Sequence, residues 1–288
     1  MTPDDTLSVA IATCAAWPDP GPGLLPLIEA LTARGFDVTC LPWQSVDEQA
    51  FLTARVILPL CAWDYAAAPR AFRDWIARIA AGGGRFANAL DLMLWNMDKS
   101  YLLDLAARGV PVPRTHVIAD PSAGTVAARM REEGWGRAVL KPAIGQSGNG
   151  VTLLELARIG NWPQMPPGAH VLQEFQADIG ETGETTLTFF GGAFSHAVLR
   201  RPAAGEWRAN SQYGVALERI RPDKAVIEVA RRALAALPTP PAYVRVDGIA
   251  RPGREFLVTE IELIEPALFL HLCPGKAERI VDLLCCAA

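Results

Sequence analysis

Two hydrophobic rhythms run along this chain. In the first, short apolar runs alternate with amphipathic stretches. Leu7–Thr13 is an unbroken run with β-branched members, the pattern of a buried strand. A Pro/Gly loop follows, and Leu24–Arg34 predicts a helix stopped by Gly35. Phe36–Leu41 and Ala54–Leu60 repeat the strand pattern. Ala71–Ala80 is helical and is closed by Gly82-Gly83-Gly84. Strand–helix–strand alternation predicts a small parallel α/β domain over residues 1–96. It holds no GxGxxG fingerprint, which argues against a dinucleotide site.

Residues 97–288 are expected to form a second domain. Tyr101–Arg108 predicts a helix ending at Gly109, Thr115–Ala119 a strand, and Thr125–Glu133 a helix ending at Gly134. A strand then runs into Lys141-Pro142, a polar loop with three glycines follows, and an apolar run resumes at Val151. From His170 the pattern becomes antiparallel. Val171–Phe175 is a strand, and Thr185–Phe190 with Ala193–Arg200 form a hairpin about Gly191-Gly192. Ala225–Ala236 is helical. Ala242–Ile249 and Glu255–Leu263 are strands joined by the Arg251–Arg254 turn, and a helix covers Pro274–Leu284. The fold class expected is α/β, with α+β character in the C-terminal lobe. Residues 112–170 would form a small lid subdomain, and 171–288 the antiparallel lobe.

Composition narrows the partners. The net charge is −4 and no basic block occurs, which disfavours nucleic-acid binding, although a nucleotide needs only a few local cations. No apolar stretch approaches the ~20 residues of a membrane span. Asp4 and Asp5, with no Lys or Arg before Arg34, make a poor signal peptide. The six cysteines show no CxxC spacing and read as mostly buried, reduced thiols. A cytoplasmic protein without a membrane partner is expected, and an oligomer is left open.

Three stretches carry candidate chemistry. In the first, Gly145, Gln146, Ser147, Gly148, Asn149 and Gly150 follow Lys141. Glycines let backbone N–H groups approach an anion, and Lys141 adds a point charge, so the stretch suits phosphate. It suits a glycine-rich hairpin turn equally, because no Walker Lys-Ser/Thr pair follows. In the second, Arg245 and Asp247 share a face of one strand, and Glu260 and Glu262 share a face of the next. Pairing through the short turn brings three carboxylates and a guanidinium together. Hard oxygen ligands in a cluster suit Mg²⁺. A solvated, salt-bridged face is the competing reading, and the ordered apolar positions opposite favour the metal. The third stretch, Trp63, Asp64 and Tyr65, lies just past a strand's C-terminal end, where open α/β sheets bind ligands. It reads equally as aromatic packing with Asp64 as a helix cap. His196 fits packing on the sheet better than base chemistry. Arg200 and Arg201 fit solvent or a nearby carboxylate, with phosphate a lesser reading for Arg200.

The order of these signals resembles the ATP-grasp ligases. Lys99 precedes a helix ending in GVPVP; then come VLKP with its glycine loop, LQEF, GETTL, RRPAAGEWRAN, RVDG and TEIELIEP, over Met97 to Phe269. The hairpin region resembles the glutathione-synthetase-like branch. WDY, FSHAVLRRPAAGEWR and EIELIEPALFL are similar to the group of small-amino-acid enzymes that includes the D-cycloserine-forming cyclo-ligase.

The resemblance implies an ATP-grasp fold behind a Rossmann-like pre-ATP-grasp domain, with ATP and Mg²⁺ (or Mn²⁺) as cofactors. Lys99 and Lys141 would contact phosphates, and Gly145–Gly150 would fold over them. Glu174, Phe175 and Gln176 would form the adenine hinge, and Glu184 would bind the ribose. Asp247, Glu260 and Glu262 would hold Mg²⁺. Arg245 and Arg208 would face the transferred phosphate, with Asn210 beside it. Trp63, Asp64 and Tyr65 would meet a small amino-acid-like substrate. Two departures stand out. Glu260-Ile261-Glu262 replaces the common Glu-x-Asn, and Leu60-Cys61-Ala62 stands where relatives of the narrower group often carry an arginine.

The implied reaction is ATP-dependent activation of a carboxylate as acyl phosphate, followed by attack of an amine-type nucleophile. Ring closure of O-ureidoserine to cycloserine, an antibiotic-forming step, is its sharpest form. A non-catalytic ATP-binding module and a small-molecule kinase are the alternatives.

Overall fold

The computed structural model describes residues 7–45, 47–165, 167–251 and 253–286, the last of these without its side chain. Asp4 and Asp5 and Pro252 of the Arg251–Arg254 turn lie outside the described residues. Among those described, no helix is long and apolar enough to cross a membrane.

Three sheets build the molecule. The first contains β1 (Ser8–Thr13), β2 (Asp37–Pro42) and β3 (Val56–Leu58), parallel, in the order β2-β1-β3. β3 is shorter than the apolar run because Pro59 has no N–H for the ladder. Helices Leu25–Ala33 and Pro69–Ala81 pack beside this sheet, the latter burying Phe72, Trp75, Ile76 and Ile79.

The second sheet contains β4 (Thr115–Ile118), β5 (Arg137–Pro142), β6 (Thr152–Glu155) and β7 (His170–Glu174), antiparallel, ordered β4-β7-β5-β6. The helix Ala123–Glu133 covers it. Ser122 caps that helix by accepting from the Thr125 N–H, and Gly134, at φ 71°, ends it. The sequence boundary at 170/171 falls inside this sheet and needs correcting. His170–Glu174 pairs with β4 and β5, so it belongs with the 112–170 segment rather than with the C-terminal lobe.

The third sheet contains β8 (Glu184–Phe190), β9 (Ala193–Arg201), β10 (Ala216–Ile220), β11 (Tyr243–Ile249) and β12 (Leu257–Glu262), antiparallel, ordered β10-β9-β8-β11-β12. Gly191 and Gly192, at φ 55° and 76°, make the tight turn of its central hairpin. The helix Lys224–Ala235 covers one face. The last helix, Ala277–Cys286, packs back on Leu25–Ala33. Ile280 and Val281 thereby share one core with Val9, Leu27, Phe190 and Tyr243.

β12 is an edge strand, and its backbone is completed by side chains. Asn96 donates to Ile261 O at 2.8 Å and accepts from Leu263 N at 2.9 Å. The Tyr101 hydroxyl donates to Ile261 O at 3.0 Å and accepts from Ile261 N at 2.9 Å. Asn88 bridges Tyr243 O and Leu263 O. These side chains mimic a missing strand and close an edge that could otherwise recruit another chain. Asn96 ends a helix, Leu90–Asn96, that the periodicity did not predict. We expect Tyr101→Phe to lower stability by about 1–3 kcal/mol, because it strands the buried Ile261 N–H, while Ile261 O keeps its bond from Asn96. Chemical denaturation would measure this; a loss below about 0.5 kcal/mol would mean water replaces the hydroxyl.

Candidate active site

Cross-strand register assembles the centre of the site. In the β11–β12 pair, Arg245 stands opposite Glu262 and Asp247 opposite Glu260. All four share one face, as the period-2 pattern requires. One oxygen each from Asp247, Glu260 and Glu262 lies within 4.8 Å of the others, a spacing a single divalent cation can bridge. The ladder shifts register between Asp247 and Gly248. At Gly248 a Cβ would lie 2.3 Å from Leu257 O, so RVDG needs its glycine for this irregular pairing.

Cations surround the acids. Arg245 grips Asp247 with a fork, Nε to Oδ1 at 3.0 Å and an Nη to Oδ2 at 2.8 Å, and also donates to Glu262. Arg200 donates to Asp247 Oδ2 at 2.5 Å, to Glu184 Oε2 at 2.7 Å and to Ala209 O at 3.0 Å. Thr186 donates to Asp247 Oδ1 and Thr259 to Glu184 Oε1. Lys99 holds Glu260 at 2.9 Å and the Gly145 carbonyl at 2.5 Å, tying the glycine loop to β12.

These contacts set the charge states. Burial opposes ionisation of Asp247, but Arg200 and Arg245 outweigh it and hold the carboxyl below its usual range. Burial likewise opposes the Lys99 charge, and Glu260 reverses the balance. At Glu262 burial wins over Arg245, and the carboxyl is pushed well up. Burial lowers Lys141, with Glu260 and Glu184 only partly compensating. Among the described residues no carboxylate lies within ion-pair distance of Lys141.

Two adjoining cavities meet at this centre. The first lies between the second and third sheets. Lys99, Lys141, Gly145, Gln146, Ser147, Gly148, Glu174, Phe175, Gln176, Glu184, Arg208 and Asn210 line it, as does Arg200. Of the residues expected to hold nucleotide, phosphate and metal, Gly150, Arg245 and Asp247 are off its wall. Arg245 lines the second cavity, and Asp247 is buried against the two arginines. Gly150 turns the loop, at φ 70°, against Pro142. The loop is drawn down on three sides. Gln146 accepts from Ala66 N, Gly148 lies against Asn210 and Tyr213, and Lys99 holds Gly145. Glu174 is held by Arg114 at the rim, and Phe175 packs edge-on to Trp207. Arg208 lines the cleft, but its fork is taken by Glu206, which it holds down at a pKa of about 2, and its guanidinium sits 3.6 Å over the Tyr213 ring.

The second cavity, about 470 Å³, meets the first at Glu260 and Glu262. Its wall includes Trp17, Trp63, Tyr65, Arg245, Glu265 and Phe269, and it shares Lys99, Arg200, Glu260 and Glu262 with the first. Trp63 and Tyr65 line it, whereas Asp64 does not. That residue accepts from Trp43 Nε1 at 2.7 Å and Gln44 Nε2 at 2.5 Å, so it anchors the β2 loop and caps no helix. His196 is buried between Ser195 Oγ and Leu268 O, a packing role. Cys14, Cys61 and Cys273 are buried and unpaired, and burial pushes the Cys61 thiol up to about 12.

Two residues at the centre were not among the expected site residues. For Arg200 a signal existed: the hairpin about Gly191-Gly192 sets it opposite Glu184. Glu265 sits in an irregular segment whose facing no periodicity could give.

Known proteins carry the same arrangement of elements. A model of the N-terminal domain of D-cycloserine synthetase DcsG matches residues 9–88. The cycloserine biosynthesis protein DcsG of Streptomyces lavendulae is 30% identical over 278 residues, spanning 90% of this chain and 91% of that protein. The crystal structure of D-cycloserine synthetase DcsG superposes with a TM-score of 0.83 at 26% identity, covering 96% of this chain and 98% of that one. D-Alanine–D-alanine ligase from Bacillus anthracis, solved with ATP, has a TM-score of 0.66 at 15% identity, with 97% and 96% covered; it shares the fold. With the acid-bearing strand pair in place and the likeness running through both chains almost end to end, this chain belongs to the family of DcsG, among the ATP-grasp ligases.

Proposed function

We propose that this ATP-dependent ligase activates the carboxylate of a small amino acid and closes a ring on it, as in the conversion of O-ureidoserine to cycloserine. One observation carries the reading. The two cavities share Lys99, Arg200, Glu260 and Glu262 together with glycine-loop residues and Asn210, so a phosphoryl donor in one cavity and a carboxylate in the other would meet at the charged centre. The donor set suits Mg²⁺, or Mn²⁺ in its place: three carboxylates with converging oxygens and no nitrogen or sulfur ligand. Asp247, Glu260 and Glu262 would hold it. When bound, it would neutralise phosphate oxygens and polarise the transferred group.

The chain's own groups do the rest. Lys141, which has no ion-pair partner among the described residues, would lend its charge to the nucleotide's phosphates. The glycine loop, held by Lys99, would exclude water from an acyl phosphate. Glu174, Phe175 and Gln176 would line the adenine end, Glu184 the ribose, and Arg208 and Asn210 the outer phosphates. The γ-phosphoryl group moves to the carboxylate and ADP departs. The oxygen-bound nitrogen of the same molecule then attacks the acyl carbon, giving up its proton, and phosphate leaves. For O-ureidoserine the ring nitrogen still carries the carbamoyl group, which water must remove as carbon dioxide and ammonia to give cycloserine. Positioning and charge neutralisation dominate such chemistry, so it needs no Ser/His or Cys/His set.

Trapping tests this directly. With ATP, Mg²⁺, O-ureidoserine and hydroxylamine, the chain is expected to yield a hydroxamate in step with ADP. Stable phosphate ester without hydroxamate would mean a kinase, and no ADP across a panel of O-substituted serines would mean a binding module.

A further inference from the structure

Three carboxylates line the second cavity. Lys99 holds Glu260 and Arg245 holds Glu262. Glu265 differs: among the described residues no basic group lies within ion-pair distance of it, and no side chain donates to it. It is part-buried between Leu263 and Leu268, both buried. Around the same cavity stand Trp17, Trp63, Tyr65 and Phe269. Phe269 is held at φ 51°, in the left-handed region that a bulky residue rarely enters, with its side chain kept in the wall.

A carboxylate partly withdrawn from water, with only a backbone hydrogen bond and no ion-pair partner, is costly. The carboxylate and the aromatic rings both favour a compact cation. A carboxylate neutralises an ammonium group, and ring faces attract it. The nearest cations of the chain are already engaged, Lys99 with Glu260 and the Gly145 carbonyl, and Arg245 with Asp247 and Glu262. Burial accordingly pushes the Glu265 carboxyl up to about 7, against the pull of Lys99 and Arg245 and with Glu260 adding to the rise. The cation must come from the ligand. If the reacting carboxylate lies by Arg245 and Glu262, an amino acid's α-nitrogen lies only two bonds from the carboxylate oxygens' carbon neighbour, within the same cavity.

We infer that Glu265, with Trp63 and Tyr65, forms a subsite for the α-ammonium group of the substrate. This subsite selects amino acids over other carboxylic acids. The inference rests on the ligase reading above and names the group that selects its substrate.

The test compares O-ureidoserine with its deamino analogue, which has hydrogen in place of the ammonium group. ADP release would be measured for the natural chain and for Glu265→Gln and Glu265→Asp. For Glu265→Gln, the KM for O-ureidoserine is expected to rise about 10- to 100-fold, the scale of a hydrogen bond to a charged group. The KM for ATP should stay within about twofold, and Glu265→Asp should recover part of the loss. The natural chain should use the deamino analogue poorly, and Glu265→Gln should use it no worse than the natural chain does. The melting temperature of Glu265→Gln without ligands should match or exceed that of the natural chain, since a carboxylate without an ion-pair partner is removed. Equal use of both substrates by the natural chain would overturn the ammonium subsite while leaving the ligase intact. So would an equal loss with both in Glu265→Gln. No ADP release from either substrate by the natural chain would overturn the ligase reading, and this inference with it.

Discussion

Asp247→Asn is expected to abolish ATP turnover, with kcat falling by at least about 10²–10³-fold, the scale seen when one preorganised charged contact leaves a reacting centre. The residue has two duties. Its oxygens converge with those of Glu260 and Glu262, and it neutralises Arg200 and Arg245 at only 1% exposure. The amide keeps the shape but not the charge, leaving two buried guanidinium groups with Glu184 and Glu262 alone. Breaking a buried pair costs about 3–5 kcal/mol, so part of the variant could be lost to unfolding. Glu260→Gln separates the two duties. It removes a ligand oxygen's charge and leaves the Arg200–Asp247–Arg245 triad untouched, giving up only the more exposed pair with Lys99. Both variants should lose ADP release, and Asp247→Asn should show the larger drop in melting temperature. Full activity of Asp247→Asn at limiting Mg²⁺ would sink the metal assignment.

What could be read from the sequence follows physical range. The acidic centre was legible because a strand's period is two and a short turn fixes register: Arg245, Asp247, Glu260 and Glu262 had to share a face once β11 met β12. The glycine loop was legible as a loop, but whether it cradled anything depended on Lys99, 46 positions earlier. The edge of β12 was not legible at all. Asn88, Asn96 and Tyr101 complete it from over 150 residues away, and no local pattern distinguishes such residues from ordinary helix members. His170–Glu174 was assigned to the wrong sheet for a related reason. Periodicity says that a strand exists, not which neighbour accepts its hydrogen bonds. Asp64 failed differently: its position past β3 was right, yet alternation around a tight turn sent it to Trp43 and Gln44 while Trp63 and Tyr65 took the cavity.

Arg200 carries the second large expected effect. Arg200→Ala should destabilise the chain by about 3–5 kcal/mol, because Glu184 and Asp247 would remain buried with one cation fewer between them. Loss of turnover would then say little by itself. Arg200→Lys is the informative change. An ammonium can satisfy Asp247 or Glu184 as a point charge, but it lacks the planar fork that also reaches Ala209 O at 3.0 Å. That third contact fixes the start of the segment carrying Asn210 and Tyr213, on which Gly148 of the glycine loop rests. Arg200 thus links the acidic centre to the loop on the far side of the first cavity, and it lines both cavities. A purely structural arginine would let lysine recover stability and turnover together. The contact to Ala209 implies that they separate. Lysine should restore most of the melting temperature lost in Arg200→Ala, while kcat/KM for ATP stays down about 10- to 100-fold, the scale of a hydrogen bond involving a charged group. Parallel recovery of both would confine Arg200 to holding its two carboxylates and would leave the loop to Lys99 alone.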